Sequence, residues 1–265
     1  MTDASETEGP TDRRLLDPSE LGTKEYWDSA YTRELHNHEE DADDEGTIWF
    51  SESNAEDAIL DQLSRFEEEG LLIRTASTET NKSNAQSAAS RFLDLGTGNG
   101  HLLFTLREED DDDGNSWRGE MVGIDYSSTS IELARRIAEQ KQLPDITFER
   151  WDLLEDEAGD WLQTGFHVVL DKGTFDAISL MPHAGGVRHP CDKYREKVTQ
   201  LIKPGCFLFI TSCNWTKQEL LSWLAPEGGE LGYLAEAKYP TFTFGGQTGQ
   251  TIVTLVLRRE QRITS

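Results

Sequence analysis

The sequence predicts a doubly wound α/β fold on a mostly parallel, seven-stranded sheet, in a single domain with an N-terminal helical extension. Two observations point there. From Phe92 onward, short apolar runs alternate with helical patterns, which is the signature of parallel strands joined by crossover helices. Between the first run and the first of these helices stand three glycines at spacing two, Gly96-Thr97-Gly98-Asn99-Gly100. In such sheets ligands bind beyond the carboxyl ends of the strands. The expected domain covers residues 19–258, with a polar tail at 1–18 read as disordered and a short tail at 259–265.

Taken in order, the chain starts with an acidic stretch, Met1-Thr2-Asp3, that lacks the apolar core of a secretory signal. Trp27, Tyr31 and Leu35 then recur every fourth residue and predict one face of a helix. Glu39–Glu45 is a charge run expected as a solvated loop, within a mobile insertion at 39–46. Ile48-Trp49-Phe50 is an aromatic patch. After it, Ser53 or Asn54 is placed to cap a helix to about Glu69, with Ile59, Leu63 and Phe66 inward. The Ser/Thr/Asn-rich stretch 75–90 and the acidic stretch 109–116 read as further mobile insertions. Strands are expected at Phe92–Leu95, Met121–Asp125, Ile146–Trp151, His167–Leu170 and Cys206–Thr211, with two final ones at Glu236–Tyr239 and Thr251–Leu257. Helices are expected at Leu102–Glu108, Ser127–Gln142, Lys193–Ile202 (broken by Pro204-Gly205) and Lys217–Leu224.

Composition narrows the function. The chain has 265 residues, 36% of them hydrophobic, with 50 acidic against 25 basic side chains and a net charge of −25. Phosphate contacts need clustered Lys and Arg, so a direct nucleic-acid partner is not expected, and a basic partner is. No apolar run reaches the length of a membrane span. The three cysteines, Cys191, Cys206 and Cys213, show no metal-ligand spacing and cannot all pair, so reduced thiols in the cytoplasm are expected. No metal site is expected.

The glycine loop narrows it further. A dinucleotide fingerprint reads G-x-G-x-x-G, whereas this loop reads G-x-G-x-G and follows Asp94 by two residues. A carboxylate there repels a pyrophosphate and suits a ligand with a cationic amino-acid end, such as S-adenosylmethionine. Asp125 closes the second strand, where an acid can accept from ribose hydroxyls or cap the following helix. Asp152 follows the third, where it can accept from an adenine amino group beside Trp151 or Leu153, or again act as a cap. Asp171, Phe175 and Asp176 follow the fourth strand, and Asn214 and Trp215 the fifth.

Several stretches together resemble one family: Y-W-D-S-A-Y-x-R-E-L, I-W-F-S-E-S, D-L-G-T-G-N-G, L-D-K-G-T-F-D-A-I, S-C-N-W-T-K-Q-E-L-L and F-x-F-G-G-Q-T-G-Q-T. They are similar to the class I methyltransferases that modify lysines of translation elongation factor 1-alpha, over about residues 20 to 258. The resemblance implies a cytoplasmic, monomeric enzyme that uses S-adenosylmethionine to mono- or dimethylate a lysine of elongation factor 1-alpha, and more loosely a link to intracellular transport. It implies a cofactor set of Asp94, Gly96, Thr97, Gly98, Asn99, Gly100, Asp125, Tyr126, Asp152, Leu153 and Asp171. The catalytic set is Asp171, Phe175 and Trp215, and the acceptor channel is Trp49, Phe50, Glu52 and Asn214. Ser51 departs from the family's glycine in W-F-G-E, which puts that turn in question.

Methyl transfer needs a neutral amine, and a free lysine is neutral in about one molecule in a thousand near pH 7.4. A carboxylate beside it raises its pKa, so Asp171 is assigned to orienting the amine or the methionine end rather than to taking a proton. Trp49, Phe50, Phe175 and Trp215 are the candidate walls that desolvate it. Two other readings stay open on the sequence: methylation of another protein or a small molecule, and a binding protein that has kept the fold without catalysis.

Overall fold

A computed structural model describes residues 13–76, 88–111, 114–183, 188–239, 242–244, 247–249 and 251–261. The tail residues before Arg13, most of the 75–90 stretch and the Gly245-Gly246 loop lie outside them. The strands are β1 (Phe92–Leu95), β2 (Met121–Asp125), β3 (Ile146–Arg150), β4 (Phe166–Lys172), β5 (Ile202–Ser212), β6 (Leu231–Glu236), β7 (Phe242–Phe244), β8 (Gln247–Gly249) and β9 (Val253–Arg259). The helices are α1 (Lys24–Glu40), α2 (Ala55–Glu68), α3 (His101–Glu108), α4 (Ser128–Gln140), α5 (Thr174–Ser179), α6 (Pro190–Leu201) and α7 (Lys217–Leu224).

Seven strands form one sheet in the order β3-β2-β1-β4-β5-β9-β6. β1 to β5 pair in parallel, and β9 runs antiparallel between β5 and β6. The order reverses direction between β1 and β4, so those strand ends open a crevice. β1 and β2 are buried at every position, as near-continuous apolar runs in a sheet covered on both faces require. One core contains Leu93, Val122, Val169, Tyr194, Leu208 and Trp223; the other contains Ile59, Leu63, Phe92, Leu103, Ile137 and Phe207.

Several elements differ from the sequence reading. The acidic run begins inside α1, which continues to Glu40. The sixth strand is Leu231–Glu236, not Glu236–Tyr239; with Tyr233 and Leu234 both exposed, it lacks the clean alternation that marks a half-buried strand. α5 was not expected, since six residues are too few for a periodic signal. β5 starts at Ile202 and runs through Pro204-Gly205, so the helix before it ends at Leu201 without help from that pair. Ser51 does not need a positive φ: the left-handed residues are its neighbours Phe50 (φ 62) and Asn54 (φ 52), and Ser51–Ser53 form a 3-10 turn between them. Asn54 stands at the cap position of α2 without a side-chain capping bond.

Candidate functional site

A cleft opens at the carboxyl ends of β1 to β5, with ≈ 1200 Å³ of space including its mouth. Gly96, Asp125, Tyr126, Asp152 and Leu153 line one end, and Lys172, Gly173, Asp176 and Asn214 the other. The N-terminal extension closes the remaining side with Leu21, Lys24, Trp27 and Tyr31.

The extension is fixed where it crosses the sheet edge. Ser19 donates its N–H to the Leu180 carbonyl at 3.2 Å, and a Cβ on Gly22 would sit 2.1 Å from that oxygen. Such contact admits only glycine. The Trp27 indole donates to the Leu21 carbonyl at 2.7 Å, and its ring stacks on Tyr31 at 6.1 Å. Tyr31 reaches the glycine loop: a Cβ on Gly98, whose φ is +59, would lie 2.8 Å from the phenol oxygen. Gly96 is equally confined, with a Cβ 2.2 Å from the Thr174 hydroxyl oxygen.

The acids divide into two groups. Asp125 and Asp152 face the cleft. Asp125 accepts from the Gly98 amide at 3.2 Å and from the Ser127 amide at 2.9 Å, so it shapes the loop and fixes the turn that leads into α4 at once. Burial pushes its carboxyl up to about 6, although those amides pull it down. Asp152 accepts from the Leu154 and Glu155 amides on Oδ1 and pairs with the Lys24 ammonium on Oδ2.

Asp94 and Asp171 do not line the cleft. Asp94 accepts the Thr97 hydroxyl at 2.7 Å beneath the loop, and burial raises its carboxyl to about 7. Asp171, 1% exposed, accepts from the Thr174 amide at 2.9 Å, the Phe175 amide at 3.1 Å and the Tyr194 hydroxyl at 2.6 Å. It caps α5 and ties it to α6; burial raises it to about 7. The expectation that Asp171 orients an amine or a methionine end does not fit this geometry, because the side chain turns into the core. Phe175 and Trp215 are core residues too, packed against each other at 6.3 Å, and do not wall the cleft.

Of the other expected residues, Trp49, Phe50 and Asn214 line the cleft, and Glu52 is exposed in the turn that follows Phe50. Thr97 and Gly100 build the loop from below. Asn99 points away, donating to the Glu45 carbonyl at 2.8 Å and accepting from the His101 amide at 3.3 Å. That bond brings the acidic 39–46 stretch against the glycine loop. The carboxylate facing the acceptor end is Asp176, which accepts the Ser212 hydroxyl at 2.5 Å and the Cys213 amide at 2.8 Å, and burial raises its pKa. The motif D-K-G-T-F-D carried this signal, but sequence does not say which of its acids turns outward. Trp27 and Tyr31 were legible as a helix face, without any sign of where it docks, and nothing in the sequence singled out Lys24.

The residues present fit a nucleoside with a charged tail: bare backbone at Gly96, an acceptor at Asp125, and apolar surface from Trp151, Leu153 and Leu154. Asp152 is an acceptor already engaged by a nitrogen donor. Among the described residues no group of three or more His, Cys, Asp or Glu is placed to hold a metal. No helix there is long and apolar enough to cross a membrane.

A doubly wound sheet of this strand order with acids at its cleft edge defines a methyltransferase-type fold. A family model described as a methyltransferase domain matches residues 86–249. The fold is also that of N-methyltransferase NodS from Bradyrhizobium japonicum, solved with S-adenosyl-L-homocysteine, at a TM-score of 0.52 and 12% identity over 89% of this chain and 99% of that one. Closer in sequence is the protein-lysine N-methyltransferase EFM4 of Saccharomyces cerevisiae, 37% identical over 92% of this chain and 97% of its own length. The human EEF1A lysine methyltransferase 2 is 36% identical over 91% of this chain and 88% of its own. The chain belongs to this family of protein-lysine N-methyltransferases.

Proposed function

We propose that the enzyme methylates a lysine of translation elongation factor 1-alpha, to the mono- or dimethyl level, with S-adenosylmethionine as donor. The observation that carries the reading is the likeness to relatives named EEF1A lysine methyltransferase 2 over nine-tenths of the chain. The donor supplies a methyl group on a sulfonium, transferred by in-line displacement. Asp125 would hold the ribose hydroxyls and Asp152 the adenine amino group once Lys24 has left it, with Leu153 against the ring. Asp94, Thr97 and Gly100 act by holding the loop shape that Gly96 and Gly98 present.

At the acceptor end, Asp176 and Asn214 orient the incoming amine, and Trp49 and Phe50 strip water from its alkyl stem. Removing water favours the neutral amine. The proton leaves to solvent, so a carboxylate at this point aligns the nitrogen rather than serving as a strong base. Asp171, Phe175 and Trp215 support this wall from behind. We place the enzyme in the cytoplasm, acting as a monomer away from membranes, as its acidic surface and protein substrate favour.

The test is to incubate the full chain with methyl-labelled S-adenosylmethionine and folded elongation factor 1-alpha, then map the label by mass spectrometry. Label on one lysine of the factor, lost in Gly98→Trp while the fold persists, is expected. Label on other proteins of a cell lysate but not on the factor would remove this substrate.

A further inference from the structure

Beneath the acceptor end of the cleft, a polar chain joins four segments that are distant in sequence. Lys172, the last residue of β4, donates from Nζ to the Trp49 carbonyl at 3.0 Å and lies 3.5 Å from Glu56 Oε1. Glu56 stands in the first turn of α2, and its Oε2 lies 2.8 Å from His101 Nδ1 and accepts from the Thr105 hydroxyl at 3.4 Å. His101 opens α3 directly behind Gly100. The chain therefore runs from the glycine loop, through α2 and the end of β4, to the aromatic corner at Trp49-Phe50. The Lys172 and Glu56 side chains are only 13% and 11% exposed. Burial pushes the Glu56 carboxyl up, but His101 and Lys172 outweigh it and hold it below its ordinary value.

What this chain reaches is a turn whose own backbone bonds use the Ile48, Phe50 and Ser51 carbonyls and leave the Trp49 carbonyl to Lys172. Phe50 has φ 62, a left-handed conformation that bulky residues avoid and that persists where its surroundings impose it. Its ring lies against Gly173, where an added Cβ would come within 3.1 Å of Phe50 Cε2. Trp49 is 39% exposed and meets Trp27 edge-on at 5.2 Å, so burial contributes little to its placement. Its carbonyl is fixed by the ammonium of Lys172. A lysine suits the task because three donors on one compact charge can serve a carbonyl and a carboxylate together.

We propose that Lys172, paired with Glu56, is a positioning residue for methyl transfer: it pins the Trp49 carbonyl and so fixes the Trp49-Phe50 corner as the wall along which the acceptor lysine enters. The inference rests on the protein-lysine reading above. The hydrogen bond of Lys172 itself goes to the acceptor wall, and the glycine loop is reached only through Glu56 and His101. A wall displaced by about an ångström costs on the order of a hundredfold in rate when it aligns a reacting group.

Full-length Lys172→Met, Lys172→Arg and Glu56→Gln test this by two readouts. In the ligand-free chain, hydrogen exchange reports the corner through the amides of Ser51, Ser53 and Asn54, which donate to the carbonyls of Ile48, Phe50 and Ser51. Lys172→Met should speed exchange there by roughly tenfold while leaving α3 unchanged, with Lys172→Arg in between. In turnover, Lys172→Met and Glu56→Gln should lower kcat/KM for the protein acceptor about 10- to 100-fold, with S-adenosylmethionine affinity within about threefold of the parent and partial rescue in Lys172→Arg. Unchanged exchange at the corner in Lys172→Met overturns the proposal. So does an equal loss of cofactor affinity and acceptor efficiency, or faster exchange spread over the whole chain, which marks an ordinary structural ion pair. A parent that leaves elongation factor 1-alpha unmethylated removes the substrate reading, and the exchange measurement still decides whether Lys172 pins the corner.

Discussion

Asp171 and Asp176 stand five residues apart on either side of one sharp turn, and they face opposite ways. Gly173 at φ 93 reverses the chain straight from β4 into α5, so Asp171 becomes the inward cap while Asp176 emerges at the cleft. Asp171→Ala should therefore cost stability by orphaning two amides and the Tyr194 hydroxyl, at least ~2 kcal/mol. That is a fall of roughly 4–8 °C in Tm for a chain of this size, with cofactor affinity nearly unchanged by calorimetry. Asp176→Asn should act mainly on rate, with kcat lower by on the order of a hundredfold and a smaller fall in Tm than Asp171→Ala, because the amide keeps one of the two acceptor oxygens that Ser212 and Cys213 use. Asp125 sets a pH dependence whose sign follows from its raised pKa. Its folded pKa of about 6 exceeds the 3.8 of an ordinary aspartate, so its own contribution to stability is present below 3.8 and fades as pH rises through 6. Ligand binding runs the other way, because ribose hydroxyls need an ionised acceptor. Affinity for S-adenosylmethionine should weaken as pH falls through 6, and Asp125→Asn should flatten that dependence; a parental affinity that is level from pH 5 to 8 contradicts the role. In the sequence the glycine loop and the cleft-facing acids Asp125 and Asp152 were legible from residue type and spacing. The burial of Asp171, Phe175 and Trp215 was not, because an aromatic or acid at a strand end looks the same whether it turns into the core or outward.

At the level of elements, the legible parts were those with long, unmixed patterns. β1, β2 and β4 are built on apolar runs, β3 alternates buried and exposed residues, and α2 and α4 carry full apolar stripes. What failed lacks such a pattern: six-residue α5, exposed β6, and α6, which begins at Pro190 with His189 as its cap rather than at Lys193. The docking of α1 was illegible for another reason. Its Trp27 and Tyr31 predict a buried face, but only tertiary contacts say that the face covers a ligand cleft. α1 enters that cleft with a charge, since Lys24 at its first position pairs with the carboxylate that would receive the adenine amino group. In the proposed binding mode this ion pair opens as the cofactor is seated; Lys24 is half exposed but the Asp152 side chain is only 7% exposed, so the adenine amino group must take the place of the ammonium rather than leave the carboxylate bare. Lys24→Met should therefore bind S-adenosylmethionine as tightly as the parent or up to several-fold more tightly, about 1 kcal/mol at most. Titration calorimetry on both chains decides it. A marked loss of affinity would mean that Lys24 contacts the cofactor instead of competing with it.

For the whole molecule the governing quantity is the net charge of −25, which the fold does not spread without regard to the site. The acidic stretch after α1 lies against the glycine loop: the Glu45 carbonyl receives Asn99, Glu34 accepts from the Thr47 amide at 3.2 Å, and His38 Nδ1 lies 2.9 Å from the Asp44 carbonyl. Asp41, Asp43 and Asp44 are exposed there. A run that the sequence presents as a free loop is thus held against the glycine loop, on the side that Asn99 turns to rather than in the lining of the cleft. A protein that carries aminoacyl-tRNA must present basic surface, and opposite fields raise encounter rates by roughly 10- to 1000-fold at low salt. Their reach shrinks to about 8 Å at physiological ionic strength. Methylation of folded elongation factor 1-alpha should therefore fall steeply from low to moderate salt, through the apparent KM and with kcat nearly constant. Replacing Asp41, Asp43 and Asp44 together by Asn should weaken that salt dependence without moving cofactor affinity. A short peptide around the same lysine should be a poor substrate, nearly indifferent to salt, because it carries too little of the basic surface for the field to act on. Equal efficiency on peptide and folded protein would place recognition in the residues beside the lysine and leave the net charge with solubility alone.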